Sequence, residues 1–134
     1  DFLPQEKGVT QINLMGHSLG ALISTYYLAK NSASAIKGYI GVGIVGGARN
    51  CPDADMSPLH SLCNLETMLR NNAQFPVIDV VAMGEPADVR FANRRKQLIS
   101  PTYQQVRVGD ADHNFTSKEK ENEMVSIVVD WLKQ

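Results

Sequence analysis

The chain has 134 residues, of which 43% are hydrophobic and 20% are charged, and its formal net charge is −1 at pH 7. This length and composition predict a single globular domain over residues 1–134, with one core. The near-zero net charge argues against a nucleic-acid partner, and the longest apolar run, residues 38–47, is too short and too rich in glycine to span a membrane.

Apolar and β-branched runs alternate along the chain with longer stretches of helical patterning. The predicted strands are 11–15, 39–45, 77–83 and 104–108, and the predicted helices are 19–30, 58–71, 88–98 and 117–132. Strict alternation of this kind predicts parallel strands joined by right-handed helical crossovers. The second and third strands are apolar almost throughout, which is typical of a sheet covered by helices on both faces. The expected fold class is therefore α/β, with about four parallel strands and flanking helices.

Two groups of residues receive a structural interpretation. Cys51 and Cys63 lack the spacing of a metal site, and we interpret them as structural or incidental residues and not as a disulfide. Four basic residues cluster in the third predicted helix, and we interpret them as its solvated face. These residues are Arg90, Arg94, Arg95 and Lys96.

The sequence Gly16-His17-Ser18-Leu19-Gly20 lies where the first predicted strand meets the first predicted helix. A Gly-x-Ser-x-Gly pattern in this context is typical of a nucleophile elbow, a sharp turn that presents the serine hydroxyl. Because the strand reverses into a helix within one residue, we expect no room for a side chain at Gly16 or at Gly20. The strained turn is expected to hold Ser18 in an exposed position.

Candidate partners for Ser18 follow the third and fourth predicted strands. In an open parallel sheet, reactive groups gather at the carboxyl ends of the strands. Glu85 and Asp88 come after the third strand, and His113 comes after the fourth. The resulting order of serine, acid and histidine is the order of a known class of serine hydrolases.

These residue types together can activate a serine. A serine hydroxyl is a poor nucleophile near neutral pH, so an imidazole must accept its proton, and His113 is the predicted base. A carboxylate orients that imidazole and stabilises the imidazolium as it forms. Asp88 is the chosen acid, and Glu85, which is closer to the strand end, remains the alternative. The N–H of Leu19, at the start of a helix, is a predicted oxyanion donor, and the sequence contains no loop for a second one.

Other polar residues near these positions receive no catalytic role. His17 is interpreted as a packing or hydrogen-bonding residue of the elbow, and His60 as a residue of a helix surface. Asp110 and Asp112 could bind a metal, but no matching set of ligands occurs elsewhere in the sequence. We interpret both aspartates as turn residues, and we expect no metal and no cofactor.

Over residues 8–134, the order of the elbow motif, the acid and the segment 109–115 resembles the C-terminal half of an α/β-hydrolase. The resemblance implies a partial α/β-hydrolase fold. It also implies acyl hydrolysis through an acyl-serine intermediate, with the catalytic roles carried onto Ser18, Asp88 and His113.

A narrower resemblance rests on three short segments. The strand opening at 76–79, the Arg94-Arg95 pair and the segment 111–115 resemble a poorly characterised bacterial family of α/β-hydrolase-like proteins. The spacing from Gly84 to Asp88 departs from the commonest α/β-hydrolase spacing after this strand, which leaves the identity of the acid open.

The position of the elbow shapes the expected function. Only about ten residues precede the first predicted strand, whereas a complete α/β-hydrolase has several strands before its elbow. We therefore interpret the chain as the C-terminal portion of a larger serine esterase or related acyl hydrolase with a small-molecule acyl substrate. We expect little activity from this portion alone, and self-association through the exposed edge of its first strand. Localisation stays open, because the chain opens at Asp1 and not at a methionine.

Two other functions remain open at this point. One is a non-catalytic module that binds a ligand or a protein through the same cleft, because a fold does not dictate a function. The other is an acyltransferase that passes the acyl group to an alcohol other than water. Both would keep the same fold and the same three residues, so a chemical test is needed to separate them.

Overall fold

The computed structural model describes residue 9 and residues 11–31, 35–46, 57–98 and 100–134. Strands and helices alternate throughout the described residues. The elements in chain order are β1 Ile12–His17, α1 Leu19–Lys30, β2 Ile36–Val42, α2 Ser61–Asn71, β3 Val77–Ala82, α3 Pro86–Arg95, β4 Tyr103–Val108 and α4 Lys118–Leu132. The strands form one parallel sheet in the order β1-β2-β3-β4. The predicted α/β class with four parallel strands and flanking helices is confirmed.

Apolar side chains form two layers, one on each face of the sheet. Side chains alternate along a strand, so neighbouring residues of β2 and β3 enter opposite layers. Tyr39 and Val77 lie in the layer that α1 and α2 complete, whereas Ile40 and Ile78 lie in the layer that α4 completes. β3 is buried at every position, as expected for a strand covered on both faces. Within the described ranges, no helix is both long and apolar enough to cross a membrane.

The second strand begins and ends three residues earlier than predicted. The apolar run predicts a strand over 39–45, but β2 spans Ile36–Val42. Gly43 has a φ of +54°, which is incompatible with an extended strand and ends β2. Ile44 is nevertheless fully buried, in the layer with α1 and α2. An apolar run records burial, and here part of that burial occurs in a loop.

The interpretation of the cysteines as unpaired is wrong. Cys63 lies in α2, is 1% exposed and is disulfide-bonded. The only other cysteine of the sequence, Cys51, lies outside the described residues. Pairing depends on the distance between two cysteines in space, and that distance cannot be inferred from their separation along the chain.

β1 is an edge strand in the part of the chain that the structure describes. It pairs with β2, and no strand of the described residues pairs with its other edge. Exposed apolar side chains lie on this strand and on the helix that follows it. They are Met15, Leu19, Ile23 and Tyr27. Self-association through this edge stays a prediction.

Candidate active site

Ser18 occupies the turn between β1 and α1. Its φ of 52° and ψ of −116° lie in a region that costs a non-glycine residue about 1–3 kcal/mol. The Ser18 N–H donates to the carbonyl of Val42 over 3.1 Å, and the Ser18 carbonyl accepts from the N–H groups of Ala21 and Leu22. The turn is therefore anchored both to β2 and to the first turn of α1. It leaves the Ser18 side chain half-buried rather than fully exposed.

The two glycines of the motif differ in what surrounds them. A Cβ on Gly16 would lie 2.7 Å from the carbonyl oxygen of Gly20 and 2.8 Å from the Cα of Ala21, so the backbone leaves no room for it. A Cβ on Gly20 would meet no atom within 4 Å in the described part of the chain. The prediction of crowding thus holds at Gly16 and is wrong at Gly20. The backbone of Gly20 and Ala21 packs against Gly16, whereas Gly20 itself is exposed at the start of α1.

His113 lies between Ser18 and Asp88. Its Nε2 is 2.8 Å from Ser18 Oγ, and its Nδ1 is 2.8 Å and 2.9 Å from the two carboxylate oxygens of Asp88. An ionised carboxylate only accepts hydrogen bonds, so Nδ1 carries the proton. The Nε2 of a neutral imidazole is then an acceptor for the Ser18 hydroxyl proton. This arrangement has the polarity that proton transfer from serine to histidine requires.

Of the two candidate acids, Asp88 is the one that contacts His113. Asp88 lies in the first turn of α3, and its side chain is 2% exposed. A carboxylate is favoured there by the partial positive charge of the helix N-terminus. Glu85 is the N-cap residue of the same helix and precedes Pro86. Glu85 thus lies just before the helix, whereas Asp88 lies in its first turn.

Leu19 is the first residue of α1 and follows Ser18 directly. Its N–H has no acceptor within the helix, because the first four N–H groups of a helix lack an intrahelical partner. Its side chain is 63% exposed, whereas Ala21 and Leu22 of the same turn are buried in the core. The Leu19 N–H thus lies at the N-terminus of α1, directly after Ser18, and its role as an oxyanion donor stays a prediction.

The loop after β4, which holds the candidate base, has a defined backbone path. Asp110 and Phe115 have φ values of 56° and 53°. The Asp112 carboxylate accepts hydrogen bonds from the N–H and the hydroxyl of Thr116. The hydroxyl bond contributes most to lowering the pKa of the Asp112 carboxyl. Asp112 thus acts as a turn residue. Among the residues described, no group of three or more His, Cys, Asp or Glu side chains could hold a metal.

Two residues beside the site were given no catalytic role from the sequence. Gly43 lies beneath His113, and a Cβ there would be 3.1 Å from Cε1 and 3.2 Å from Nδ1 of the imidazole. The feature of the sequence that could have identified Gly43 is a glycine near the end of an apolar strand. His17 Nε2 lies 2.8 Å from the backbone oxygen of His113. The sequence predicted a packing or hydrogen-bonding role for His17 but not its partner, because His113 is 96 positions away in the chain.

A second polar cluster lies beneath α3 and corrects the interpretation of Arg95 as solvated. Arg95 donates two hydrogen bonds to the Asp79 carboxylate, over 2.7 Å and 3.0 Å, and a third to the carbonyl of Ile44. Burial alone would lower the pKa of Arg95, but attraction to Asp79 and the hydrogen bonds with it outweigh this effect and raise the pKa. The Tyr103 hydroxyl also donates to Asp79, over 2.6 Å. Burial, and then the Asp79 charge, raise the pKa of Tyr103.

Solved structures of other proteins share this fold. The esterase domain of a Rhodothermus marinus protein aligns with a TM-score of 0.66 and 14% identity, over 89% of this chain and 59% of its own. The esterase RhEst1 from Rhodococcus sp. ECU1013 aligns with a TM-score of 0.64 and 19% identity, over 95% of this chain and 67% of its own. Est1E from Butyrivibrio proteoclasticus, solved with ferulic acid, aligns with a TM-score of 0.58 and 19% identity, over 100% of this chain and 64% of its own.

These alignments show the fold, and this chain spans roughly three fifths to two thirds of the length of those relatives. Among curated protein sequences, none matches closely enough to count as a relative. The narrower bacterial resemblance stays a prediction. A family model described as the alpha/beta hydrolase fold matches residues 1–76, which is more than half of the sequence. The chain therefore belongs to the α/β-hydrolase fold family.

Proposed function

We propose that the chain carries the nucleophile, the general base and the acid of a serine esterase or related acyl hydrolase. Ser18 is the nucleophile, His113 the base and Asp88 the acid. One observation carries this proposal: hydrogen bonds of 2.8 to 2.9 Å run in series from Asp88 through both nitrogens of His113 to Ser18 Oγ. The esterase names of the solved relatives support the reaction class. The proposed substrate is a small-molecule ester.

In the proposed reaction, His113 Nε2 takes the hydroxyl proton of Ser18 while Oγ attacks the ester carbonyl carbon. The Leu19 N–H stabilises the resulting oxyanion. Collapse of the tetrahedral intermediate breaks the bond to the leaving alcohol, which takes the proton from His113, and an acyl-serine remains. Water then attacks the acyl group in the same manner, releases the carboxylic acid and restores Ser18. Asp88 stabilises the imidazolium throughout and does not itself take the proton.

The extent of the machinery in this chain is also a proposal. The solved relatives are longer than this chain, and we propose that a second oxyanion donor and part of the substrate cleft come from outside it. A transition state held by one donor alone loses about a hundredfold to a thousandfold in rate. Low turnover by the isolated chain is therefore expected, and a test must detect slow chemistry.

Irreversible labelling with an alkyl fluorophosphonate meets this need, because the adduct accumulates even when turnover is slow. Ser18 Oγ displaces fluoride from phosphorus, and the hydroxyl proton passes to His113. We expect one adduct on the full chain, mapped to Ser18 by tandem mass spectrometry, and none on Ser18→Ala. Ser24→Ala is the matched control, because Ser24 lies in α1 and its hydroxyl donates to the carbonyl of Gly20. It should label at the unmodified rate.

Each other outcome has a defined meaning. Equal labelling of the unmodified chain and Ser18→Ala would contradict the proposal. Complete lack of labelling would also contradict it and would favour a non-catalytic binding module. If Ser18 labels, product analysis with p-nitrophenyl butyrate and an added alcohol separates the two catalytic functions. A hydrolase releases butyric acid, whereas an acyltransferase forms a new butyrate ester.

A further inference from the structure

His17 makes a hydrogen bond that joins the serine turn to the histidine loop. Its Nε2 lies 2.8 Å from the backbone oxygen of His113, and the centroids of the two imidazole rings are 5.2 Å apart. A carbonyl oxygen only accepts hydrogen bonds, so Nε2 of His17 must carry a proton and donate it. Neutral imidazole in this tautomer and imidazolium can both do so, and the bond therefore survives a change in the charge of His17.

The topology gives this bond its significance. β1 and β4 are the first and last strands of the described sheet, and neighbouring strands lie about 4.8 Å apart. The loop after β4 must therefore lean across the ends of β3 and β2 to bring His113 to Ser18. On the β3 side, the Gly84 N–H donates to the carbonyl of Ala111 over 2.8 Å. On the β1 side, the bond from His17 reaches His113 itself.

We propose that His17 is a positioning residue for the reaction proposed above, and this inference rests on that proposed function. Its Nε2–H holds the backbone of His113 and thereby keeps the Nε2 of His113 within reach of Ser18 Oγ. His17 immediately precedes Ser18, so one rigid turn presents the nucleophile and fixes the base. His17 is exposed, and its side chain can be changed without opening the core.

Three variants of the full chain separate the hydrogen bond from the ring. His17→Phe keeps an aromatic ring and removes the donor, and it should lower the second-order rate of Ser18 labelling by fluorophosphonate about tenfold. His17→Gln retains an amide N–H near the position of Nε2 and should stay within about threefold of the unmodified chain. Met15→Phe is the matched control, because it places a ring at a 48% exposed position of the same strand. It should label at the unmodified rate.

Steady-state hydrolysis of p-nitrophenyl butyrate should show a fall in kcat with an unchanged KM for His17→Phe. A purely structural loss would instead lower the concentration of labelled sites and leave the rate per folded molecule unchanged. Equal rates for His17→Phe and the unmodified chain would overturn the inference, as would equal losses for His17→Phe and His17→Gln.

A measurement that needs no activity separates this inference from the proposed function. Long-range proton–nitrogen NMR spectra of the full chain, with its histidines enriched in nitrogen-15, report which ring nitrogen carries the proton. Near neutral pH, Nε2 of His17 should carry a proton. A neutral ring protonated at Nδ1 alone would overturn the inference even if Ser18 labels normally. If Ser18 does not label while His17 shows the expected proton, the proposed function fails and the hydrogen bond stands.

Discussion

Two buried aspartates in this molecule each hold a basic side chain, and their partners differ. Asp79 pairs with Arg95, and both side chains are at most 2% exposed. Asp88 pairs with His113, whose side chain is 24% exposed. A guanidinium does not release its proton in a protein, whereas an imidazole exchanges protons near neutral pH. Similar carboxylates thus have partners of different chemistry: the first pair ties β3 to α3, and the second holds an imidazole whose Nε2 is 2.8 Å from Ser18 Oγ.

The largest expected effect tests the pair of Asp88 and His113. Asp88→Asn should lower the second-order rate of fluorophosphonate labelling at Ser18 about ten-thousandfold, because an amide favours the wrong tautomer of His113. Glu85→Gln is the comparison variant and should change the rate by less than about threefold, because Asp88 is the acid within 2.9 Å of the imidazole. A larger loss for Glu85→Gln than for Asp88→Asn would assign the acid to Glu85.

Removal of the buried cation should affect stability instead. Arg95→Met leaves the Asp79 carboxylate buried without its cation and should lower the free energy of unfolding by about 3–5 kcal/mol. Arg70→Met breaks the exposed pair with Glu66, in which the two side chains are 69% and 46% exposed, and should cost less than about 1 kcal/mol. Urea unfolding followed by circular dichroism measures both. Equal losses would contradict the distinction between buried and exposed pairs.

The two glycines that flank Ser18 in the motif provide a third test, because opposite effects on stability are expected at Gly16 and Gly20. Gly16→Ala should lower the free energy of unfolding by about 1–3 kcal/mol, because its Cβ would overlap the backbone of Gly20 and Ala21. Gly20→Ala should raise it by up to about 1 kcal/mol, because position 20 is open and lies within α1. Thermal unfolding of the two variants side by side decides the matter, and a destabilising Gly20→Ala would show that α1 is crowded there.

An effect that appears only at high pH again separates the two clusters. The pKa of Tyr103 is raised in the folded state by burial and by Asp79, so unfolded Tyr103 loses its proton first as the pH rises. The stability from this residue is therefore fully present below its unfolded pKa of about 10 and declines above it, by about 1.4 kcal/mol per pH unit. Tyr103→Phe should show a shallower decline between pH 10 and 11 in urea unfolding. An unchanged slope would contradict the prediction.

The sequence predictions are most accurate for features that depend on neighbouring residues of the chain, and least accurate for features that depend on residues far apart in it. The alternation of strands and helices and the location of the Ser18 turn depend on neighbouring residues, and the structure has these elements close to the predicted positions. The end of β2 was misplaced by three residues, because Gly43 turns the chain while Ile44 remains apolar and buried. An apolar pattern indicates burial directly, but it indicates backbone conformation only indirectly.

The site shows the same division. Its three candidate residue types and their order could be predicted, because parallel strands bring their carboxyl ends to one edge of the sheet. For the acid, the sequence favoured Asp88 and left Glu85 as the alternative, and in the structure it is the Asp88 carboxylate that contacts His113. The contact of His17 with His113 spans 96 positions of the chain, and no local pattern encodes it.

The sequence by itself determined the α/β alternation, the candidate nucleophile Ser18 and the candidate base His113, because periodicity and motif spacing are local properties of a chain. Only the tertiary structure decided that Asp88 contacts His113, that Arg95 is buried against Asp79 and that Gly16 alone of the two glycines in the Gly-x-Ser-x-Gly motif is crowded. These features depend on distances between side chains that folding brings together from separate elements. Packing sets those distances, and it acts on the whole domain at once.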